Sequence, residues 1–409
     1  MKKSKNDRLH IGIFGRRNVG KSSLINAISN QQIAIVSEIP GTTTDPVKKS
    51  IELKNIGAVV IIDTAGIDDT DELGKLRVDK TIKTIEEIDI AILVIAENKF
   101  SDYEDDLIKK FIEYEISIII VANKTDIFTT DINLIDKITK NYNLKILEIS
   151  AEKNINIDVL LNELANINSK IQHKRKSLIG DLVNYGDIVL LITPIDNEAP
   201  EGRLILPQVQ IIRDILDNDC VAIVMKEKEV EVFLKTTGIK PKLAITDSQI
   251  FNRADAIIPK DIPLTSFSII LAYNKGDFEE YLKGTPKISE LKDGDKILLL
   301  ESCTHQVSCD DIGRVKIPRW LSSFTGKKLE FTVVSGLDKL PDSIDEYSLV
   351  IQCGGCVVTR KQLQNRIKKA QNHNIPITNY GMAIAYLQGI YQRAISPFVK
   401  NFDTKDLYL

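Results

Sequence analysis

Positive charge, long apolar runs and paired cysteines are all scarce in this 409-residue chain, and each shortage removes a class of function. Lysine and arginine number 54 against 57 aspartates and glutamates, a net charge of −3, so no global positive field recruits nucleic acid. No apolar stretch reaches the roughly eighteen residues a membrane span needs. The basic start MKKSKNDRLH is followed only by the apolar run IGIF, too short for a secretory-signal core, and the chain reads as cytoplasmic. The five cysteines are Cys220, Cys303, Cys309, Cys353 and Cys356, an odd count that argues against a disulfide framework. No fixed-period repeat, low-complexity tract or GXXG loop of the RNA-binding KH type occurs. What remains, 43% apolar and 27% charged, is the balance of a soluble globular chain long enough for several domains.

Buried strands and helices alternate through residues 1–170. RLHIGIF, GAVVIIDTAG, IDIAILVIA, ISIIIVAN and KILEIS are apolar runs, and KSSLINAIS and YEDDLIKKFIEYE have helical period. Continuous apolar strands separated by helices predict a mostly parallel sheet covered on both faces. The basic segment IQHKRKSLIG reads as a joint. A small α/β unit follows over 171–262, with strands DIVLLITPI, CVAIVM and PKLAITD and helices LPQVQIIRDILDN and SQIFNRADAI. A third α/β unit is expected over 263–409, from PLTSFSIILAY through the strands KILLLES, LEFTVV, SLVIQ and IPITNYG.

Gly15-Arg16-Arg17-Asn18-Val19-Gly20-Lys21-Ser22 fits the phosphate-binding pattern G-x-x-x-x-G-K-S between a strand and a helix. Its glycines let backbone N–H groups wrap phosphate, and Lys21 reaches the β- and γ-phosphates. The Ser22 hydroxyl, with Ser23 beside it, lies where a nucleotide's Mg²⁺ is held. Asp63-Thr64-Ala65-Gly66 ends a strand, with Asp63 placed to hold Mg²⁺ through water and the Gly66 amide to meet the γ-phosphate. Asn123-Lys124-Thr125-Asp126 ends another. The Asp126 carboxylate there accepts two hydrogen bonds from guanine that adenine cannot offer. Ser150-Ala151, after the next strand, offers a backbone contact to the guanine oxygen. In this order the motifs resemble the translation-factor-like GTPases, and they select GTP/GDP.

Pro40-Gly41-Thr42-Thr43-Thr44-Asp45 resembles the first switch of the TrmE–Era–EngA branch, which makes Thr43 the expected last Mg²⁺ ligand. Asn18 with that segment is similar to the potassium-activated members, in which K⁺ replaces an arginine finger. Ile67 stands where Ras-like enzymes carry glutamine, and it cannot orient water, so slow intrinsic hydrolysis is expected.

Cys303 follows KILLLES, and Cys353-Gly354-Gly355-Cys356 follows SLVIQ. Ligands collect at the carboxyl ends of strands in open α/β sheets, so adjacent strands can aim three thiols at one point. Three thiolates suit an iron–sulfur cubane with one weakly ligated iron, or Zn²⁺ completed by His305 or Cys309. The residues alone leave both open. Cys303-Thr304-His305 with the C-G-G-C segment resembles the cluster motif of the FeFe-hydrogenase maturation GTPases, the HydF family. That pattern is C-x-H, a spacer, then H-C-x-x-C, and this chain has Gln352 in place of the second histidine. Thr193-Pro194-Ile195-Asp196, the segment from Ala199 to Gln208 and the three-domain order share the resemblance.

The resemblance implies a GTPase joined to a dimerisation domain and a domain holding a 4Fe–4S cluster through Cys303, Cys353 and Cys356. It implies a homodimer that carries a diiron precursor as cargo, receives it from the radical-SAM maturases HydE and HydG, and delivers it to apo-hydrogenase. For the fourth iron ligand Asp310 ranks ahead of His305, because two residues from Cys303 give little slack, and ahead of Cys309, because a fourth thiolate would close the site. The competing reading is an RNA-associated TrmE/Era-type GTPase with a zinc module. Solvated roles are expected for His10 and His173, a helix-capping role for His373, and packing roles for Trp320 and Cys220.

Overall fold

The computed structural model describes residues 8–29, 47–64, 81–174 except 83, 177–194, 204–302 and 311–399 except 337, 339 and 342. The chain divides into two compact units, Met1–Arg175 and Lys176–Leu409.

In the first unit, β1 (Leu9–Phe14) leads into α1 (Lys21–Ser29), and β2 (Val47–Leu53) returns as a hairpin arm on β3 (Gly57–Asp63). Then come β4 (Ile90–Ile95), α2 (Asp102–Glu113), β5 (Ser117–Ala122), α3 (Ile132–Tyr142), β6 (Ile146–Glu148) and α4 (Ile157–Lys174). The sheet runs β2-β3-β1-β4-β5-β6, parallel throughout except for the β2–β3 pair. Every residue of β1 and β4 is buried, because each face of the sheet packs under its own apolar cluster. The sequence reading missed β2. Its residues VKKSIEL bury only Ile51 and Leu53, so it has the polar alternation of an edge strand rather than an apolar run.

The second unit holds two four-stranded parallel sheets over one continuous apolar core. The first is built from β7 (Ile188–Ile192), α5 (Leu206–Asp217), β8 (Val221–Met225), α6 (Val230–Thr237), β9 (Leu243–Thr246), α7 (Phe251–Ile257) and β10 (Leu264–Ser266), in the strand order β10-β9-β7-β8. Here the structure shifts an expected boundary. PLTSFSIILAY, expected to open the third unit, supplies β10, which pairs with β9, and then α8 (Phe267–Lys275). The second sheet follows α9 (Phe278–Gly284). It comprises β11 (Lys296–Leu300), α10 (Ile317–Thr325), β12 (Glu330–Val334), β13 (Tyr347–Gln352), α11 (Arg360–Asn372) and β14 (Ile377–Asn379), before α12 (Tyr380–Leu387) and α13 (Tyr391–Val399). Its order is β12-β11-β13-β14.

That order carries a functional consequence. After β11 the chain turns to one side, and after its neighbour β13 it turns to the other. Such a reversal opens a crevice at the strands' carboxyl ends. In the first unit the same reversal falls between β1 and β4.

Candidate functional site

The phosphate-binding loop fills the turn between β1 and α1, at the first unit's strand-order reversal. Three backbone positions shape it. Gly15 (φ 143°) passes so close to β4 that a Cβ would lie 2.3 Å from the Val94 carbonyl. Gly20 (φ 94°) would put a Cβ 2.2 Å from Asn123 Nδ2. Asn18 (φ 63°) takes the left-handed conformation, which asparagine tolerates better than most residues. Lys21 turns inward, its Nζ donating to the Gly15 and Arg16 carbonyls at 2.8 Å each, while Ser22 and Ser23 are exposed at the start of α1.

Asn123 joins the phosphate loop to the base-reading loops. Its buried Nδ2 donates to the Val19 carbonyl at 2.9 Å, and its Oδ1 accepts from the Ala151 N–H at 3.0 Å. Asn123 belongs to the tetrapeptide expected to bind the nucleotide, and its contacts here brace the two loops against each other. Ser150 is fully buried and its Oγ accepts from the Lys153 N–H at 3.1 Å. Lys124 (φ 67°) reaches Glu97 at 3.3 Å, and Asp126 is exposed beside it. Thr64 Oγ1 donates to the Ile13 carbonyl at 2.6 Å and so ties the end of β3 to β1. Burial pushes the Asp63 carboxyl above the usual aspartate range, and the nearby Lys21 and Lys49 ammoniums oppose that shift. Thr43, Gly66 and Ile67 lie outside the described residues.

At the reversal in the last sheet, the Cys353 N–H donates to the Leu300 carbonyl at 2.9 Å, so the carboxyl ends of β11 and β13 meet there. Cys353 and Cys356 are half-buried free thiols. Burial first, and then neighbouring Cys353, push the Cys356 thiol up to about 11, with Lys275 acting the other way. Metal binding at this loop therefore has to displace protons. Gln352 is fully buried, its Nε2 facing the Leu300 carbonyl, Ser302 Oγ and the Cys353 carbonyl at 3.2–3.3 Å. Its Oε1 has no hydrogen-bond partner among the described residues. Cys303, His305, Cys309 and Asp310 lie outside the described residues, and among those described no three His, Cys, Asp or Glu side chains gather as a metal site.

An ionic frame that the sequence reading missed holds the residues on either side of 303–310. The buried Glu301 carboxylate receives Arg314 through Nε at 3.0 Å and Nη2 at 2.8 Å, and Ser335 Oγ at 3.1 Å. Arg366 of α11, itself buried, donates to the Glu301 carbonyl at 2.7 Å. Asp311 accepts from the Arg314 N–H at 2.8 Å as the cap of the turn that leads into α10. No spacing rule links these residues, so only the folded chain reveals the set. His10, expected to be solvated, is instead buried, with its backbone N–H donating to Asp89 Oδ2 at 2.9 Å and its Nδ1 facing the Arg8 carbonyl at 3.0 Å; His373 ends α11, the His173 side chain is outside the described set, and Trp320 packs partly buried on the core.

Three family models match the chain: a 50S ribosome-binding GTPase model over residues 10–124, the hydrogen maturase F dimerization domain over 178–276 and the hydrogen maturase F tetramerization domain over 279–397. Among curated relatives, the tRNA modification GTPase MnmE of Acholeplasma laidlawii is 35% identical over 40% of this chain and 37% of its own length. GTPase Der of Wolinella succinogenes is 32% identical over 39% of this chain and 36% of its own. The chain thus spans little more than a third of the length of these relatives. The G domain of the FeoB iron transporter of T. maritima matches 39% of this chain and 98% of its own at 19% identity, with a TM-score of 0.31.

Proposed function

The chain belongs to the hydrogen maturase F family, and from that premise we propose a GTP-hydrolysing scaffold that holds a 4Fe–4S cluster and hands a diiron precursor to apo-FeFe-hydrogenase. Its GTPase domain binds GTP or GDP with Mg²⁺, and the dimerization and tetramerization domains make it an oligomer. In this reading Gly15, Gly20 and Lys21 cradle the phosphates, and Ser22, Thr43 and Asp63 hold Mg²⁺. Gly66 meets the γ-phosphate and Asp126 reads guanine. Asn18 helps to hold K⁺, which takes the place of an arginine finger.

The observation that carries the cluster part is the hydrogen bond from the Cys353 N–H to Leu300 at the strand-order reversal. It brings C-G-G-C to the carboxyl end of β11, and Cys303 is the third residue after Leu300 in the sequence. The group fits that place. Two half-buried thiols share one short loop, and the backbone flanking residues 303–310 is pinned by Glu301, Arg314 and Arg366. Cys303, Cys353 and Cys356 would ligate three irons, with Asp310 or His305 as the labile fourth donor. When bound, the cluster supplies an iron site at which cargo docks. The maturases HydE and HydG are the proposed suppliers of that cargo, and nucleotide hydrolysis gates the exchange of partners.

Anaerobic reconstitution followed by a maturation assay tests the reading. Chain loaded with cluster and cargo should activate apo-hydrogenase, and chain with Cys353→Ser should not. Tightly held zinc and no activation would favour an RNA-associated GTPase with a zinc module.

A further inference from the structure

The matched dimerization domain ends at residue 276, so α8 is its last helix. One face of α8 nevertheless runs along the cysteine loop. Ser268, Leu271 and Lys275 recur at the three-and-four spacing of a single helix face. Ser268 Oγ donates to Asn379 Oδ1 at 3.1 Å and lies 3.2 Å from where a Cβ on Gly354 would stand. Leu271 Cδ1 lies 3.8 Å from the same point. Two turns on, Lys275 Nζ donates to the Gly355 carbonyl at 3.0 Å and to the Val358 carbonyl at 3.3 Å. The helix therefore touches the loop from Gly354 to Val358, which contains Cys356 and adjoins Cys353. Gly354 has the packing reason of a close approach: a side chain there would push against Ser268.

We propose that Lys275 is a positioning residue for the cluster-binding loop: its two hydrogen bonds fix C-G-G-C against α8, and its charge raises the reduction potential of the cluster. The inference rests on the cluster reading above. Three thiolates leave a cubane anionic, and an added electron makes it more so. A cation held at the loop therefore stabilises the reduced form more than the oxidised form, since net charge and hydrogen bonding around the sulfurs set such potentials. Because α8 belongs to the matched dimerization domain, that domain supplies a wall of the cluster site.

The test uses the full chain, reconstituted anaerobically with ferrous iron and sulfide and titrated with dithionite while EPR follows the reduced cluster. Lys275→Gln keeps an N–H donor and removes the charge, and Lys275→Arg keeps both. The glutamine variant should load iron as the wild type does, yet be harder to reduce by about tenfold in the one-electron equilibrium, roughly 59 mV. The arginine variant should return to within a third of that shift. Loss of iron in the glutamine variant with retention in the arginine variant would contradict that expectation and overturn the assigned effect on the potential. Equal potentials in wild type and Lys275→Gln overturn it, as does equal loss of iron in both variants with circular dichroism unchanged. A wild-type chain that takes up no iron overturns the cluster reading itself, and this inference with it.

Discussion

The phosphate loop and the cysteine loop occupy the same place in two different sheets, the carboxyl edge where strand order reverses, yet they are built from opposite materials. The phosphate loop works through main-chain N–H groups. What matters there is backbone conformation, set by Gly15, Asn18 and Gly20 and braced by the buried Asn123. The cysteine loop, in the function proposed for it, would work through side chains. Its backbone is held from outside by Lys275 of α8, while the Glu301–Arg314–Arg366 frame holds the strand end beside it. A main-chain site therefore fails when a side chain is added, and a thiol site fails when one is removed.

The largest effect should come from adding a methyl group to the first site. Gly20→Ala places a Cβ against Asn123 at a φ that disfavours any side chain. GTP affinity should fall by about 100-fold or more, roughly 2.7 kcal/mol, as judged by labelled-nucleotide titration. Iron uptake should be untouched. Loss of both functions together would mean that the two sites are not separable.

A narrower change should alter specificity without emptying the site. Asp126→Asn removes the shared anion of the two guanine donors, so preference should move from GTP towards XTP by about tenfold or more in competition binding. Strong retention of GTP would place base recognition elsewhere. The smallest effect concerns the cation at Asn18. Hydrolysis should be faster, by about tenfold, in K⁺ than in Na⁺ at matched ionic strength, because a monovalent cation is asked to do electrostatic work at the phosphates. Equal rates in the two salts would remove Asn18 from that role.

How far each site was legible in the sequence follows from the same contrast. Gly15 to Ser22, Asp63 and Asn123 to Asp126 each sit in one contiguous stretch after an apolar run, so strand, turn and chemistry could be read together. The parallel sheets were legible for the same reason, since fully buried strands such as β4 are unbroken apolar runs. β2 was not, because an edge strand carrying Lys48, Lys49 and Glu52 looks like a loop. The place of β10 was not legible either. A three-residue strand carries no period, and only its pairing with β9 assigns it to the middle sheet. At the cysteine site the thiols showed in the sequence, but their supports did not. Glu301, Arg314 and Arg366 are ordinary charged residues until the sheet brings them together, and Lys275 lies 78 positions before Cys353 in the chain.

The residues proposed to ligate the cluster all belong to the second unit. The most direct measurement is the iron and sulfide content, with the EPR spectrum after reduction, of a fragment comprising residues 176–409 reconstituted anaerobically, beside the same fragment carrying Cys356→Ser. The first fragment should hold about four irons and four sulfides per chain and give a reduced-cluster signal, and the second should lose that signal. A folded fragment that binds no iron, or a signal indifferent to Cys356→Ser, would contradict the proposed ligation.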